Sequence, residues 1–497
     1  MPQAAATSRP FRTPFFATFP SIMLPMFLAA IDQTIVATAL PAIAAELGEV
    51  ERVSWVVVSY LVAATIAAPV YGRLGDALGR RRLLVVALGL FVIASALCAV
   101  APSIPALVAA RLLQGFGGGG LMTLSQALVG EAVPPRQRGQ FQGYLSAVFV
   151  CSSTFGPVAG GWLTESFGWR AVFLINLPLG LAALVLALRL PRPEPPTVPG
   201  GRLPFDFPGL FLFGGFIAPM LLALEQARRL DPATLPLATM LAVGSAVSLL
   251  LLLHRERRVR MPLLPVALLA QPGIWRTDAM AGCVGAQLVS LITFLPIYLQ
   301  VARGAGPGEA GLLLLPLTML IAVGSLITGR MITRTGNGAI FPSVGLPVVA
   351  VLVAALAVLA PDLGMRQLPF LFAGIALFTG SAMPVVQTTV QFISGPAQLG
   401  AAAASVQLSR SVGAAVGTAL VGAVLFASLA ATDPAAATLF GAIVESGPRA
   451  LAGLTAERIA VVQDEIAHAF RAAFLVIAAF AAAGGVLAWT IPVRRIG

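Results

Sequence analysis

The chain has 497 residues, of which 58% are hydrophobic and 10% are charged, a composition that exceeds what the core of a soluble domain needs. Its net charge of +11 comes from arginines scattered between apolar runs without a stripe of interleaved aromatics, which speaks against binding of nucleic acid. All 31 residues of the lysine-plus-arginine total are arginines, so a Walker A ATPase loop, which needs a lysine, is excluded. We expect a polytopic all-α membrane protein with no cofactor and no metal site.

Apolar runs predict about fourteen membrane-spanning helices, because one span needs about 20 apolar residues. The predicted spans cover residues 18–45, 53–72, 83–101, 105–131, 140–164, 169–190, 206–226, 233–253, 273–300, 311–331, 340–360, 367–392, 400–430 and 468–492. Because this number is even, both termini are expected on the same side of the membrane.

The spans are expected to form two bundles and an insertion. An N-terminal six-helix bundle covers 1–190, a linker with two extra helices covers 191–272, and a C-terminal six-helix bundle covers 273–497. The external loop 431–467 of the second bundle is expected to contain a short amphipathic helix from Thr455 to Ala467.

The turn from Gly72 to Arg82 predicts the orientation, since it carries four arginines and one aspartate between two apolar stretches. Arginine-rich segments next to spanning helices remain in the cytoplasm. With this turn inside, alternate segments place 19 arginines on the inner side and nine on the outer side. We expect a protein of the bacterial inner (plasma) membrane with both termini in the cytoplasm.

An internal repeat relates the two halves of the chain. Gly72 has a counterpart in Gly329, 257 positions later. Further pairs lie 261 positions apart: Met122 and Met383, Gln126 and Gln387, Gly139 and Gly400, Gly156 and Gly417, and Gly161 and Gly422. Two homologous bundles account for this nearly constant offset. Because the counterpart of Asp76 is Thr333, we expect asymmetric contacts at the cytoplasmic face, with Asp76 touching the C-terminal bundle.

Asp32 is the candidate for proton coupling. It lies near the middle of the first span, where an ionised carboxylate costs roughly 2.5–3.5 kcal/mol, so it must face a cavity or a partner. Arg111 lies at a depth that could bring it to Asp32, and protonation of the carboxylate would then break the pair. The alternatives are a structural Asp32 and a snorkelling Arg111. For Arg410, a coupling role and a structural role are both open.

Polar side chains inside apolar spans are candidates for a substrate cavity. They are Thr34, Gln114, Gln126, Gln287, Tyr298, Gln387, Gln391 and Arg410. A site with one acid and several amides favours neutral or monocationic ligands over dications. At the start of the ninth span, Arg276 and Asp278 point to different helix faces and are expected to anchor the interface rather than contact substrate.

Five short segments carry motifs. They are Ile31 to Pro41, Gly72 to Arg82, Arg111 to Gly115, the stretch Gly143 to Gly161 that contains Gly156-Pro157, and Trp169 to Pro178. In these segments the chain resembles the fourteen-span drug:proton antiporters of the major facilitator superfamily, from about residue 20 to about residue 490. It departs from the family at Ser152, which replaces a glycine, and at Ala77, which replaces a basic residue.

The resemblance implies the major facilitator fold, in which two pseudo-symmetric bundles give alternating access. It implies proton coupling by Asp32 and Arg111. It also implies a set of gating or latch residues: Gly72, Asp76, Gly79, Arg80, Arg81, Gly156, Pro157, Gly160 and Gly161. For the glycines the alternative is helix packing alone, and for Asp76 it is a role in topology alone.

The expected function is therefore proton-driven efflux of amphipathic drugs or other toxic lipophiles. The partners would be the small-molecule substrate, protons and the lipid bilayer, with a proton gradient in place of a cofactor and a monomer as the working unit. Export of a lipid, siderophore or other endogenous metabolite is the alternative on the same fold. An intramembrane enzyme is disfavoured because hydrolase motifs are missing from the sequence. No sequence feature identifies a periplasmic adaptor.

Overall fold

A computed structural model describes residues 15–48, 52–190, 205–227, 234–259, 262–433, 436–441 and 456–495. The described chain is helical, and its extended backbone pairs in one isolated bridge, between Asn337 and Arg495. Most of the predicted linker from Pro191 to Phe205 lies outside the described residues.

The first six long helices form the N-terminal bundle. They are α1 (Phe15–Leu47), α2 (Trp55–Leu78), α3 (Arg80–Ala99), α4 (Ile104–Ala132), α5 (Arg138–Phe167) and α6, which consists of Arg170–Leu174 and Asn176–Leu188. Glycines of α4 face its neighbours, since a Cβ atom at Gly117 would lie 2.9 Å from the backbone nitrogen of Phe91 in α3. Small residues of this kind let membrane helices pack closely.

Two inserted helices follow, α7 (Phe207–Ala227) and α8 (Leu235–Glu256), and they pack against each other as a pair. Phe213 of α7 is buried in a cluster with Val70 of α2. At the base of the pair, Nη2 of Arg255 lies 2.7 Å from the carboxylate of Asp206. Partial burial raises the pKa of Asp206, but hydrogen bonds from Arg255 and from the Gly209 N–H outweigh it and hold this pKa below its usual value.

The last six long helices form the C-terminal bundle. They are α9 (Pro272–Ile297), α10 (Pro307–Thr335), α11 (Ile340–Leu359), α12 (Leu368–Thr379 with Ala382–Ser394), α13 (Leu399–Thr432) and α14 (Ala456–Thr490). The predicted short helix from Thr455 to Ala467 is wrong as a separate element. Residues from Ala456 onwards continue without a break into the last span, because Ile466 and Phe470 pack into the bundle core.

The expected all-α architecture of two six-helix bundles with two inserted helices is confirmed. Twelve helical segments of the described chain are long and apolar enough to cross a membrane. The remaining two, α4 and α5, contain 29 and 30 residues and are less apolar because they carry glycines and polar side chains. Each predicted span overlaps one of these helices, and the total of fourteen crossings stays a prediction.

At two places a glycine of one bundle packs against the backbone of the other bundle. The internal repeat relates these two glycine crossings to each other. In the first, a Cβ atom at Gly72 of α2 would lie 2.6 Å from the carbonyl oxygen of Gly400 in α13. In the second, a Cβ atom at Gly329 of α10 would overlap the carbonyl oxygen of Gly139 in α5. Gly329 is the counterpart of Gly72, and Gly400 is the counterpart of Gly139. The interface is therefore built twice, from equivalent helices.

We predict that Gly72→Ala lowers the thermal stability of the purified protein. Its Cβ atom would meet backbone, which cannot swing aside as a side chain can, and overpacking of this kind costs about 1–3 kcal/mol. Gly161→Ala is the matched control, because a Cβ atom at Gly161 would meet nothing within 4 Å. Thermal unfolding in detergent measures both, and equal stability of the two variants would contradict the crossing.

Candidate functional site

The centre of the N-terminal bundle holds a buried ion pair between Asp32 of α1 and Arg111 of α4. Nη1 of Arg111 lies 2.6 Å from Oδ2 of Asp32, and the exposed fractions of the two residues are 0% and 1%. Both were predicted to approach each other, and the structure brings them together. The carboxylate meets its cation rather than a cavity, which removes the cost of an isolated charge at this depth.

The guanidinium of Arg111 is held from several sides. Its Nε donates to the carbonyl oxygen of Val56 at 3.2 Å, and Nη1 donates also to Oε1 of Gln114 at 2.8 Å. The ring of Tyr60 lies 4.2 Å from the guanidinium carbon, a distance suited to a cation–π contact. This environment fixes Arg111 in the bundle interior and rules out a snorkelling side chain.

Three further side chains complete the network around Asp32. Gln114 Nε2 and Asn176 Nδ2 donate to Oδ1 of Asp32 at 2.9 and 2.8 Å. Both amides also donate to Oγ of Ser95, at 3.1 and 3.0 Å. The network therefore connects α1, α4 and α6 through one carboxylate and reaches α3 through the two amides bound to it.

Sequence reasoning missed Asn176 and Ser95 as site residues. Asn176 lies inside the Trp169 to Pro178 motif, so its position in that motif was an available signal. Ser95 stands in an apolar run with no motif around it, and nothing in the sequence distinguishes it from a packing serine. Gln114, predicted for the substrate cavity, belongs instead to this closed network, where it is 0% exposed.

Asp76 joins the two bundles at the Gly79 turn. Its Oδ1 accepts from the N–H of Gly400 at 2.9 Å, and its Oδ2 accepts from the N–H of Ala401 at 3.0 Å. These groups belong to the first turn of α13, where unpaired N–H groups and the helix dipole favour an anion. The expected contact of Asp76 with the C-terminal bundle is present.

Arg80 extends this contact, whereas Arg81 does not. Arg80 lies 2.6 Å from Asp76 and 2.7 Å from Glu131, and it also donates to the carbonyl oxygen of Pro396 at 3.0 Å. Arg81 instead donates to the carbonyl oxygen of Leu188 at 2.6 Å, within its own bundle. Gly79 supplies the turn between α2 and α3 with a φ of 97°, which favours glycine.

The repeat makes Thr333 the counterpart of Asp76, and the two residues behave differently. The hydroxyl of Thr333 donates to the carbonyl oxygen of Gly329 in its own helix at 3.1 Å. The glycine crossing is thus duplicated, while Thr333 does not repeat the contact of Asp76 with the opposite bundle. This asymmetry agrees with the replacement of the acid by threonine.

The Gly156-Pro157 motif lies between α5 and α1. Cβ atoms at Gly156 and Gly160 would overlap Thr34 and the Ile35 carbonyl of α1. Pro157 is exposed, and Gly161 has open space beside it. Thr34 itself donates to the carbonyl oxygen of Ser152 at 3.2 Å. Two of the four motif residues therefore set a close helix contact within one bundle, and a role of the motif in gating stays a prediction.

A cavity lies between the bundles and encloses about 830 Å³ of empty space, its open part included. Its polar lining consists of Gln126, Gln142, Ser146, Ser153, Thr318, Ser325, Thr379, Gln387, Gln407 and Arg410. Its apolar lining consists of Met26, Leu145, Phe149, Val150, Val284, Leu288, Ile292, Ile321, Met383 and Val406. A mostly apolar pocket with a few polar groups is the usual form of a small-molecule site.

Of the predicted cavity residues, Gln126, Gln387 and Arg410 line the cavity. Gln387 Nε2 donates to Oε1 of Gln126 across the bundle interface, and these two residues are repeat counterparts. Gln391 lies behind them, where its Nε2 donates to the carbonyl oxygen of Gln126 at 3.0 Å. The amides close the interface on the side toward the Gly79 turn.

The remaining candidates lie outside the cavity lining. Tyr298 packs in an aromatic cluster, with its ring 5.3 Å from Phe470 and 5.4 Å from Phe474. Gln287 donates to Oγ1 of Thr379 at 2.8 Å and is itself 0% exposed. Helix packing turns these side chains into the C-terminal bundle, so the expectation that they line the cavity is corrected.

Arg276 and Asp278 lie in different surroundings. The partly exposed Arg276 donates to the carbonyl oxygen of Thr490 and lies 5.3 Å from the Trp275 ring, as expected of an interfacial anchor. Asp278 is 6% exposed, and its Oδ1 has no hydrogen-bond partner among the described residues. Asp278 therefore lies in the protein interior rather than at the interface.

Comparison with known proteins gives a family match and several relatives. The sequence model of the Major Facilitator Superfamily matches residues 22–418. An uncharacterized MFS-type transporter of Mycobacterium tuberculosis is 35% identical over 413 residues, which are 82% of this chain and 58% of that protein. The chain thus spans less than two thirds of the length of this relative.

Two further relatives are covered more fully. The multidrug transporter protein MdtP of Bacillus subtilis is 31% identical over 409 residues, which are 81% of this chain and 74% of that protein. The efflux pump dotC of Dothistroma septosporum is 29% identical over 480 residues, which are 93% of this chain and 82% of that protein.

Solved structures share the fold at low identity. The proton:xylose symporter XylE matches with a TM-score of 0.61 and 15% identity over 96% of both chains. The human organic anion transporter TETRAN matches with a TM-score of 0.65 and 15% identity, over 96% of this chain and 100% of that chain. At this identity the similarity concerns the fold alone.

We predict that removing one member of the Asp32–Arg111 pair destabilises the protein more than removing both. Arg111→Gln leaves a buried carboxylate without its cation, and loss of one partner from a buried pair costs about 3–5 kcal/mol. The double variant Asp32→Asn, Arg111→Gln removes both charges, so it should unfold at a higher temperature than Arg111→Gln. Thermal unfolding of the purified variants measures the difference, and a double variant less stable than either single variant would contradict the pairing.

A second prediction concerns the bundle contact of Asp76. Asp76→Asn removes the charge that faces Arg80 and the α13 N-terminus, an interaction of about 1–2 kcal/mol in a partly buried setting. The form in which α2 and α13 are in contact, as in this structure, should therefore lose about tenfold in population. Spin labels at the exposed Arg82 and Ala397 would report longer distances. Thr333→Val is the matched control and should leave the distances unchanged; an equal change in both variants would show that Asp76 does not hold the face closed.

Proposed function

The chain belongs to the major facilitator superfamily, and on that premise we propose that it exports amphipathic compounds in exchange for protons. Relatives named as a multidrug transporter and an efflux pump support export. The inter-bundle cavity, whose lining combines apolar side chains with amides, hydroxyls and one arginine, supports a small amphipathic cargo.

The observation that carries proton coupling is the buried Asp32–Arg111 pair. With Asp32 ionised, its two oxygens accept from three donor side chains, so the carboxylate joins α1 to α4 and α6. The two amides among these donors also bind Ser95 of α3. A proton on Asp32 removes the negative charge that attracts Arg111 and weakens every bond in this set. Protonation would therefore change the packing of α1, α3, α4 and α6 in one step.

Two helices connect this pair to the cavity. Met26 of α1 and Gln126 of α4 both line the cavity, and Asp32 and Arg111 lie further along the same helices. A helix transmits a shift along its axis because its backbone is hydrogen-bonded throughout. A change at Asp32 thus reaches the Gln126–Gln387 contact, on which closure of the bundle interface depends.

In the proposed cycle, the form with the Asp76 contact made faces outward, since the Gly79 turn is expected in the cytoplasm. Asp32 would take up a proton from outside, the bundle contacts would open toward the cytoplasm, and substrate would enter as the proton leaves. One pH unit supplies about 1.4 kcal/mol, and 100 mV supplies about 2.3 kcal/mol per charge. One proton can therefore support a substrate gradient of about a hundredfold or more.

We predict that Asp32→Asn abolishes gradient-driven transport. Purified protein would be placed in liposomes with an acidic lumen, where proton efflux drives substrate uptake, and neutral, cationic and anionic probes would be offered. Wild type should accumulate at least one probe above protein-free liposomes, and nigericin should abolish this accumulation. Asp32→Asn should reduce it by about tenfold or more, as loss of a coupling group removes the driving force rather than binding.

Asp362→Asn is the matched control, because Asp362 is an exposed carboxylate in a turn between helices. It should transport like wild type. Undiminished gradient-driven uptake by Asp32→Asn would remove Asp32 as the proton carrier. Uptake by wild type that ignores the imposed gradient would refute proton coupling altogether.

A further inference from the structure

The charges that line the inter-bundle cavity are unbalanced. Arg410 of α13 is the charged residue of its lining, and no aspartate or glutamate belongs to the lining among the residues that the structure describes. The buried carboxylates of Asp32 and Asp278 lie outside this lining, and Asp32 pairs with Arg111. A ligand in this cavity therefore meets a positive charge.

The partners of Arg410 are neutral groups. Its Nη2 donates to Oε1 of Gln407 at 2.9 Å, and its guanidinium carbon lies 4.8 Å from the Phe149 ring. Within the described part of the chain it forms no ion pair. The deeply buried Arg111, by contrast, has a carboxylate at 2.6 Å. A guanidinium carries five N–H donors in a planar fork, so most of the donors of Arg410 are available to a ligand.

Such a side chain is suited to an acid. A cation held among apolar groups without a counter-ion is costly, and a ligand that brings a negative charge removes that cost. The guanidinium fork matches a carboxylate with two parallel hydrogen bonds. Leu145, Phe149, Leu288 and Ile292 line the same cavity and provide apolar surface for the rest of the molecule.

The internal repeat gives Arg410 an uncharged counterpart in the first half of the chain. Arg410 lies 261 positions after Phe149, so the two residues are counterparts, and they face each other across the bundle interface. The second half carries a cation where the first half carries an aromatic ring. A ligand acid at Arg410 would lie beside the Phe149 ring, so the ligand would contact both bundles at once.

We infer that the cavity binds amphipathic monoanions, such as a carboxylate on an aromatic or aliphatic body, through Arg410. This inference rests on the proposed export function and names its substrate class. It replaces the expectation of neutral or monocationic ligands, which depended on Asp32 facing the cavity. Export of a monoanion in exchange for one proton moves two positive charges inward per cycle, so transport would respond to membrane potential as well as to pH.

The test compares three ligands that share one skeleton: 1-naphthylacetate, 1-naphthylacetamide and 1-naphthylmethylammonium. Equilibrium binding to the full-length purified protein would be measured without any gradient. Wild type should bind the carboxylate at least tenfold more tightly than the amide, and the ammonium most weakly. Arg410→Gln should abolish the preference for the carboxylate, whereas Arg410→Lys, which keeps the charge, should retain part of it.

Arg276→Gln is the matched control, since Arg276 is a partly exposed arginine outside the cavity lining, and it should keep the wild-type order. Carboxylate binding by wild type that is no tighter than amide binding, the absence of binding included, overturns the inference. So does a carboxylate preference that survives in Arg410→Gln. Failure of the export proposal is distinguishable, because a protein that binds the carboxylate selectively but ignores a pH gradient refutes coupling alone.

Discussion

The arrangement of the N-terminal bundle depends on pairing one negative charge in the membrane interior. An ionised Asp32 at this depth needs a cation and hydrogen-bond donors, since water and a high dielectric are missing there. Arg111, Gln114 and Asn176 supply them. For Arg111 to reach Asp32, α4 must lie inside the bundle, and its glycines permit close packing against α2 and α3. The same pair that stabilises this packing is the group whose protonation would loosen it.

Some contacts at the bundle interface follow the internal repeat, whereas the charged residues there do not. The glycine crossings and the Gln126–Gln387 contact obey the internal repeat, so each bundle offers its partner the same surface. The charged residues do not follow the repeat, because the counterpart of Asp76 is Thr333 and the counterpart of Arg410 is Phe149. Symmetric packing of small residues lets two bundles rock against each other about a common centre. The asymmetric charges then favour one closed form and define one kind of ligand.

The helices, the approach of Arg111 to Asp32 and the bundle contact of Asp76 could be predicted, because each follows from hydropathy, from the cost of a buried charge or from a motif. The direction in which a neutral polar side chain points could not be predicted. Tyr298 and Gln126 both stand in apolar spans, yet one packs on Phe470 and the other lines the cavity. A neutral polar group is stable in either place once it has a partner, so the choice rests on packing of distant helices. The site role of the buried Ser95 could not be predicted for the same reason.

Separation of the two charges has a consequence for the proposed transport cycle. If proton and substrate competed for one carboxylate, exchange would follow from direct displacement, and a cationic substrate would be required. Here Asp32 is enclosed by its own bundle, while Arg410 lines the cavity, so neither group can serve both ions. Coupling must then pass through structure, along α1 and α4 and into the bundle interface. Such coupling requires only that the proton and the substrate favour different bundle arrangements, and it leaves the sign of the substrate charge to the cavity alone.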